Sequence, residues 1–230
     1  MNNDKQKQDI IEKYSNEMTL IKERLKRINI ARLIKGELQF SVEFQALQLR
    51  KIIEQIMLAS LVANAEEYKK VSEKFGTEWN ARLICRDIER INPDFFPKAV
   101  IDDHKNQVLN NTDCITSDQL IDIYGKLHKF LHANNPFGEK YDYQKMSIYI
   151  LESCKKIINL LNTHTVTLIG GKSILYVVMS SVNNNGNVWI GWADKCDETE
   201  YKNYLEQVKS KEKTCETTCS EEPNADGKRT

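Results

Sequence analysis

The sequence predicts a mainly α protein of the α+β kind: a helical bundle followed by a small C-terminal three-stranded antiparallel β-meander. Three observations carry this prediction. Apolar residues recur three and four apart through most of the chain up to Leu161, which is the period of one helix face. Beyond Thr165 the chain turns to short runs rich in β-branched and aromatic residues, which suit strands. Gly170-Gly171 and Asn185-Gly186 interrupt those runs, and Asn-Gly is the signal for a type I′ hairpin turn.

Taken in order, the first element is marked by Ile11, Tyr14, Met18, Ile21, Leu25 and Ile28, spaced alternately by three and four. This narrow stripe predicts an amphipathic helix over residues 1–35. Such a helix packs on one partner surface, either its own domain or a second copy. Gly36 ends it. Residues 40–65 read as a long helix, with Ser41 as its N-cap and Glu43 in its first turn. Phe44, Leu47, Leu49, Ile53, Ile56 and Leu58 make it apolar on nearly all sides, the mark of a central helix. Arg50 and Glu54 are polar exceptions one turn apart, placed to pair.

Residues 79–91 form the next predicted helix, stopped by Asn92-Pro93. Residues 93–111 have no period and are expected to be a loop or a hairpin over the bundle. Thr116 and Gln119 have capping-box spacing and open a helix running to about His132, which Asn134-Asn135-Pro136 breaks. Residues 142–161 are a further helix. Strands over 165–169, 172–181 and 187–193 then make the meander, which is too small to stand without the helices. Asp197 and Glu200 start a last helix, with Tyr201, Tyr204, Leu205 and Val208 as its stripe. Residues 210–230 are charged and aperiodic and read as a disordered tail. The expected organisation is therefore an N-terminal helix (1–35), a helical bundle (36–162), the meander with the terminal helix packed on the bundle (163–209), and the tail (210–230).

Composition narrows the function. The chain has 230 residues, enough to bury a core without disulfide staples. Lys plus Arg and Asp plus Glu are 33 each, so the net charge is zero, whereas a protein that coats nucleic acid is basic. The cations are 25 Lys and 8 Arg, a balance that disfavours a large phosphate-reading surface. No apolar run is long enough to cross a bilayer, and the first residues are polar. The expectation is a cytoplasmic protein with no membrane segment and no signal peptide. The six Cys are scattered and suit a reducing compartment.

Polar chemistry is densest over residues 124–138, Tyr-Gly-Lys-Leu-His-Lys-Phe-Leu-His-Ala-Asn-Asn-Pro-Phe-Gly. His128 and His132 share a helix face, with Tyr124 one turn earlier and Lys126 and Lys129 beside them. Asn134 and Asn135 follow on the loop. Three readings compete. His132 can serve as a C-terminal helix cap with His128 in the core. The two His can ligate a metal, but the zincin pattern needs Glu where Lys129 stands, so no metal and no cofactor are expected. Alternatively the segment holds a nucleotide or RNA phosphate, with His132 as acid or base and Lys126 as the cation. Arg50 and Glu54 either line the same groove or orient helices as a structural pair. Trp189 and Trp192 either stack on bases or fill the small sheet. Cys215 and Cys219 are too isolated for a metal site.

The central-helix string Gln45-Ala-Leu-Gln-Leu-Arg50-Lys-Ile-Ile-Glu54, followed by a late helix ending in His132 and an Asn-Asn-Pro turn, resembles the HEPN superfamily. It is also similar to bacterial proteins with a Lys or Gly, a few residues, Leu-His and then Asn-Asn-Pro. The resemblance covers about residues 40–162. It implies a HEPN-like bundle, and many such proteins are ribonucleases of toxin–antitoxin, abortive-infection or CRISPR-linked defence systems, while others are non-catalytic. The family motif is an Arg, a short spacer and a His, and its active site commonly forms at a dimer interface. His132 stands at the motif histidine. No Arg precedes it at that distance, and Lys126 is the only cation in a comparable place. Lys lacks the forked contact of Arg. The expectation is an RNA- or nucleotide-phosphate-binding protein of bacterial defence, with metal-independent ribonuclease activity as its catalytic form. The partner is RNA or a nucleotide, with a homodimer or a protein partner. The alternative is a non-catalytic protein–protein interaction module that uses the N-terminal helix and the meander.

Overall fold

A computed structural model describes residues 2–33, 36–71, 77–100, 113–133 and 135–195. Helix α1 (Asn2–Leu33) and helix α2 (Leu38–Ala63) run antiparallel along one another. The stripe explains why. Tyr14, Met18, Ile21 and Ile28 are fully buried, while the rest of α1 is largely charged and exposed. The surface that this stripe needs is thus supplied within the chain, by α2 and by the sheet, and not by a second copy. A polar seam fixes the register of the pair. Arg24 donates from Nη1 to Gln48 Oε1 at 2.7 Å and from Nε to Gln55 Oε1 at 2.9 Å. Beside them, burial raises the Glu17 carboxyl above its ordinary value, partly offset by a hydrogen bond to Gln55 and by Arg24.

Helix α2 is central: α1, α4 (Ala81–Ile91), α5 (Ser117–Phe130) and α6 (Tyr143–Leu161) all pack on it. Leu49, Ile52, Ile53, Ile56 and Met57 are fully buried, each worth about 1.5–3 kcal/mol relative to exposure. The near-uniform apolar pattern does overstate the burial, because Phe44 and Leu47 are exposed. Helix α2 also starts earlier than expected. Glu37 is its N-cap, without a side-chain hydrogen bond. Ser41 lies inside the helix and donates from Oγ to the Ala31 carbonyl at 3.0 Å, closing the end of α1. Asn64 ends α2, and α3 (Ala65–Val71) follows as a separate short helix.

The other caps are local and follow from sequence. Asn80 accepts from Arg82 N, and Asp142 accepts from Lys145 N. The capping box of Thr116 and Gln119 is formed in both directions. Helix α5 ends at Phe130 with Leu131 as its C-cap, so His132 sits just beyond the helix.

The sheet has four strands in the order β1 (Lys98–Ala99), β2 (Thr163–Thr167), β3 (Ser173–Val178) and β4 (Trp189–Asp194). Three are the expected meander. The fourth, β1, adds antiparallel to β2 with Lys98 opposite Thr165. Two residues are too few to show a strand period. His164, Val166, Leu175 and Val177 form the buried face. Gly170 and Gly171 both have positive φ in the turn between β2 and β3. Asn185 and Gly186 also have positive φ, and Asn187 N donates to Asn184 O at 2.8 Å. This is the expected tight turn, seated in a longer connection that also holds a 3-10 turn at Val182–Asn184. On β4 the Trp189 ring lies over Gly191, where a Cβ would come within 2.7 Å of it.

The compact unit so described ends at Ala193, and a second unit comprises Asp194–Thr230. The expected last helix and the tail lie outside the described residues. Among the described residues, no helix is long and apolar enough to cross a membrane.

One buried polar contact joins α1 to the sheet. The Tyr14 hydroxyl lies 2.9 Å from His164 Nε2, and His164 Nδ1 lies 2.8 Å from the Leu161 carbonyl. The carbonyl only accepts, so Nδ1 carries the proton and Nε2 accepts from Tyr14. Burial holds the Tyr14 phenol above its ordinary range and lowers His164 to about 4. In the unfolded chain a His titrates near ~6.5, so between these values the unfolded state binds a proton that the folded state refuses. Stability therefore falls as pH drops from about 6.5 towards 4, by about 3 kcal/mol over the whole window. Urea unfolding of the native protein should accordingly weaken more between neutral and mildly acid pH than that of His164→Gln. Parallel losses in the two proteins would contradict this assignment.

Candidate functional site

The site is built where α5 crosses α2. Arg50 and Glu54 lie one turn apart on α2, and Tyr124 and His128 lie one turn apart on α5. The helices are antiparallel here, so Glu54 meets Tyr124 and Arg50 reaches both Tyr124 and His128.

Glu54 anchors the cluster. It is buried, so its carboxylate requires donors. Oε1 accepts from Arg50 Nε at 3.3 Å and from the Tyr124 hydroxyl at 3.4 Å, and Oε2 accepts from Lys51 Nζ at 2.8 Å. Arg50 also donates from Nη2 to the Tyr124 hydroxyl at 3.4 Å, and its guanidinium carbon stands 5.1 Å from the Tyr124 ring centroid. Two cations face one carboxylate, which leaves the group a net positive charge. Lys51, a residue that the sequence did not single out, belongs to this rim; its only signal was its place three residues before Glu54.

The exposed edge of the cluster carries the imidazoles. Arg50 Nη1 lies 3.3 Å from His128 Nδ1. His128 Nε2 lies 3.5 Å from His132 Nε2, with ring centroids 4.8 Å apart in an edge-to-face arrangement. A guanidinium only donates, so the neutral His128 ring accepts at Nδ1 and holds its proton on Nε2. That proton points at His132 Nε2, which leaves the His132 proton on Nδ1. Both contacts lie at the long end of the hydrogen-bond range. Both His are exposed, so the reading of His128 as a core residue is replaced by one in which it bridges Arg50 and His132.

The remaining predicted residues divide. Lys126 projects from another side of α5, with its ammonium 4.9 Å from the Tyr149 ring centroid. It lines a groove of about 370 Å³ between α5 and α6, together with Lys129, Tyr141 and Lys145. Two residues along a helix are about 200° apart at 3.6 residues per turn, so His128 and Lys126 face different ways. The pair of His132 and Lys126 is therefore not brought together. The Lys129 carbonyl accepts from the Tyr141 hydroxyl at 2.9 Å, tying the loop after α5 back to the helix. Asn135 shapes that loop: its Oδ1 accepts from Phe137 N at 3.0 Å and its carbonyl accepts from Gly138 N at 2.9 Å. Asn134 lies outside the described residues. Trp189 packs edge-on to Tyr176, and Lys7 stands over Trp192.

Other chemistries have less to work with. Burial, reinforced by nearby carboxylates, pushes the Cys85 thiol up to about 11, and burial alone pushes Cys154 up to about 12. Neither is a nucleophile at neutral pH. Among the described residues no group of three or more His, Cys, Asp or Glu gathers in metal-binding geometry. What the Arg50 edge offers is a forked cation beside two titratable rings, a combination suited to an oxyanion such as a phosphate. Comparison of the chain with protein-family models, with curated proteins and with solved structures returns no match.

The anchor has a measurable consequence. Removing Glu54 leaves a half-buried guanidinium without its carboxylate, so Glu54→Ala should lower the unfolding free energy by about 2–3 kcal/mol. Lys51→Ala removes only an exposed partner and should cost about 1 kcal/mol or less. Urea titration of both variants checks this, and equal losses would contradict the anchoring role.

Proposed function

We propose that the protein binds RNA along the Arg50–His128–His132 edge and cleaves the phosphodiester without a metal ion, in a bacterial defence or toxin–antitoxin setting. One observation carries this reading: a guanidinium from α2 stands 3.3 Å from His128, whose ring in turn packs on His132. The HEPN-like motif expects an Arg a few residues before the His. Here the support comes from an Arg that arrives on another helix, and the Lys126 role falls away.

In this reaction the 2′-hydroxyl oxygen attacks the adjacent phosphorus. The new O–P bond forms as the bond to the 5′-oxygen breaks, leaving a 2′,3′-cyclic phosphate and a free 5′-hydroxyl. His132, the outermost ring, turns its Nε2 lone pair from His128 to the 2′-hydroxyl, takes that proton as the new O–P bond forms, and returns it through water to the departing 5′-oxygen. Arg50 lies where it can hold the non-bridging oxygens as their charge grows. His128 positions His132, and Glu54 with Tyr124 positions Arg50. Lys51 adds charge at the rim and draws the polyanion in.

Mixed RNA incubated with the protein in EDTA should be cleaved. His132→Ala and Arg50→Ala should each lower the rate by about 100-fold or more, and Lys126→Ala should leave it unchanged. Binding without cleavage by the native protein would sink the enzymatic part of this reading, and neither binding nor cleavage would favour the protein–protein interaction module. Equal cleavage by the native protein and both variants would remove the site assignment.

A further inference from the structure

Helix α4 brings a second guanidinium to the edge of α5 that carries the imidazoles. Arg82 Nη2 lies over Gly125, 3.5 Å from the place that a Cβ would occupy there. Around α5, at about 100° per residue, His128 falls between Tyr124 and Gly125. Arg50 therefore reaches the imidazoles from the Tyr124 side, and Arg82 flanks them from the Gly125 side. Positions 125 and 128 are three apart on one helix, so their side-chain roots are neighbours at about 5–6 Å.

Two features set Arg82 apart from an ordinary solvated cation. Its exposed guanidinium makes no hydrogen bond or ion pair among the described residues, whereas Arg86, one turn later on α4, is held by Asp87 at 3.0 Å. Arg82 is also the second residue of α4, whose first turn carries no acid. A cation there opposes the helix dipole, so the stability of α4 does not explain it. Gly125 makes the approach possible. Glycine weakens the middle of a helix, yet here it leaves a notch that the guanidinium fills. A side chain longer than a methyl group would push Arg82 away.

We infer, on the reading of the Arg50 edge as an RNA-binding edge, that Arg82 holds the phosphate next to the reacting one. The substrate class is then a strand with two consecutive phosphates. A guanidinium with free donors grips two oxygens of a phosphate in a fork, and the N-terminus of α4 favours the same charge. A single phosphate at Arg50 leaves Arg82 without a partner, while a flanking phosphate on the same strand satisfies it. Arg82 reads the backbone and selects no base.

The test compares three 2′-O-methyl RNA dinucleotides: one with free termini, one with a 5′-phosphate and one with a 3′-phosphate. Each is titrated into the full chain, and the Kd is read from the imidazole resonances of His128 and His132. The terminal phosphate that faces Arg82 should tighten binding about tenfold, and the other should not. Arg82→Ala should abolish this preference. Gly125→Gln, which keeps the cation but fills the notch, should abolish it too. Lys13→Ala, which removes an exposed cation paired with Asp9 on α1, should keep it. Equal Kd values for the three probes, or a preference that survives either site variant, would overturn the role of Arg82 while leaving the Arg50 edge in place. A plain dinucleotide that moves neither imidazole would remove both.

Discussion

A carboxylate buried on the central helix sets the arrangement of the candidate site. Glu54 must lie among apolar neighbours because α2 is covered by α1, α4, α5 and α6. An ionised carboxylate there is tolerated only if donors meet it. Arg50 and Lys51 come from the preceding turn of the same helix, and Tyr124 comes from α5. Satisfying Glu54 in this way holds the Arg50 guanidinium at the edge of the bundle, with Nη1 turned towards His128. The exposed Arg50 edge is a by-product of neutralising the buried charge.

The other buried polar contacts have the same logic and hold the frame. Tyr14, His164 and the Leu161 carbonyl form a chain in which each donor has one acceptor, and this chain joins α1, β2 and the end of α6. Asn92 Nδ2 donates to Asn64 Oδ1 and to the Thr167 carbonyl, joining the ends of α2 and α4 to the sheet. Lys22 donates to the carbonyls of Met179 and Gly186, pinning the connection before β4 onto α1. Apolar burial supplies the bulk of the stability, while these directional contacts decide which surfaces meet.

Much of this was legible in the chain itself. The stripe from Tyr14 to Ile28, the capping box at Thr116 and the turn glycines are local signals, and each acts where it stands. Long-range features were not legible. The partner of the α1 stripe, the pairing of β1 with β2 and the burial of His164 depend on residues far apart in sequence. His164 sits on an inward strand position between Thr163 and Thr165, but nothing local says that Tyr14 will be its partner. The site shows the same division. The segment holding His128 and His132 stands out by composition, and Arg50 with Glu54 stands out against an apolar helix. That Arg50 and not Lys126 adjoins the imidazoles follows only from the antiparallel crossing of α2 and α5. An apolar pattern on nearly all sides of α2 places Phe44 and Leu47 in the core. The structure leaves them outside, because they lie on the face of α2 turned away from the buried Val42, Ala46 and Leu49.

The imidazole nitrogens report directly on whether Arg50, His128 and His132 act as one anion-binding unit. Nitrogen-15 NMR of the His side chains should show His128 protonated at Nε2 and His132 protonated at Nδ1 in the neutral protein. Adding a 2′-O-methyl RNA dinucleotide, which cannot be cleaved, should shift the resonances of both rings and of Arg50 Nε, and leave His164 unmoved. Shifts confined to the Lys126–Lys145 groove, or none at either ring, would contradict the account.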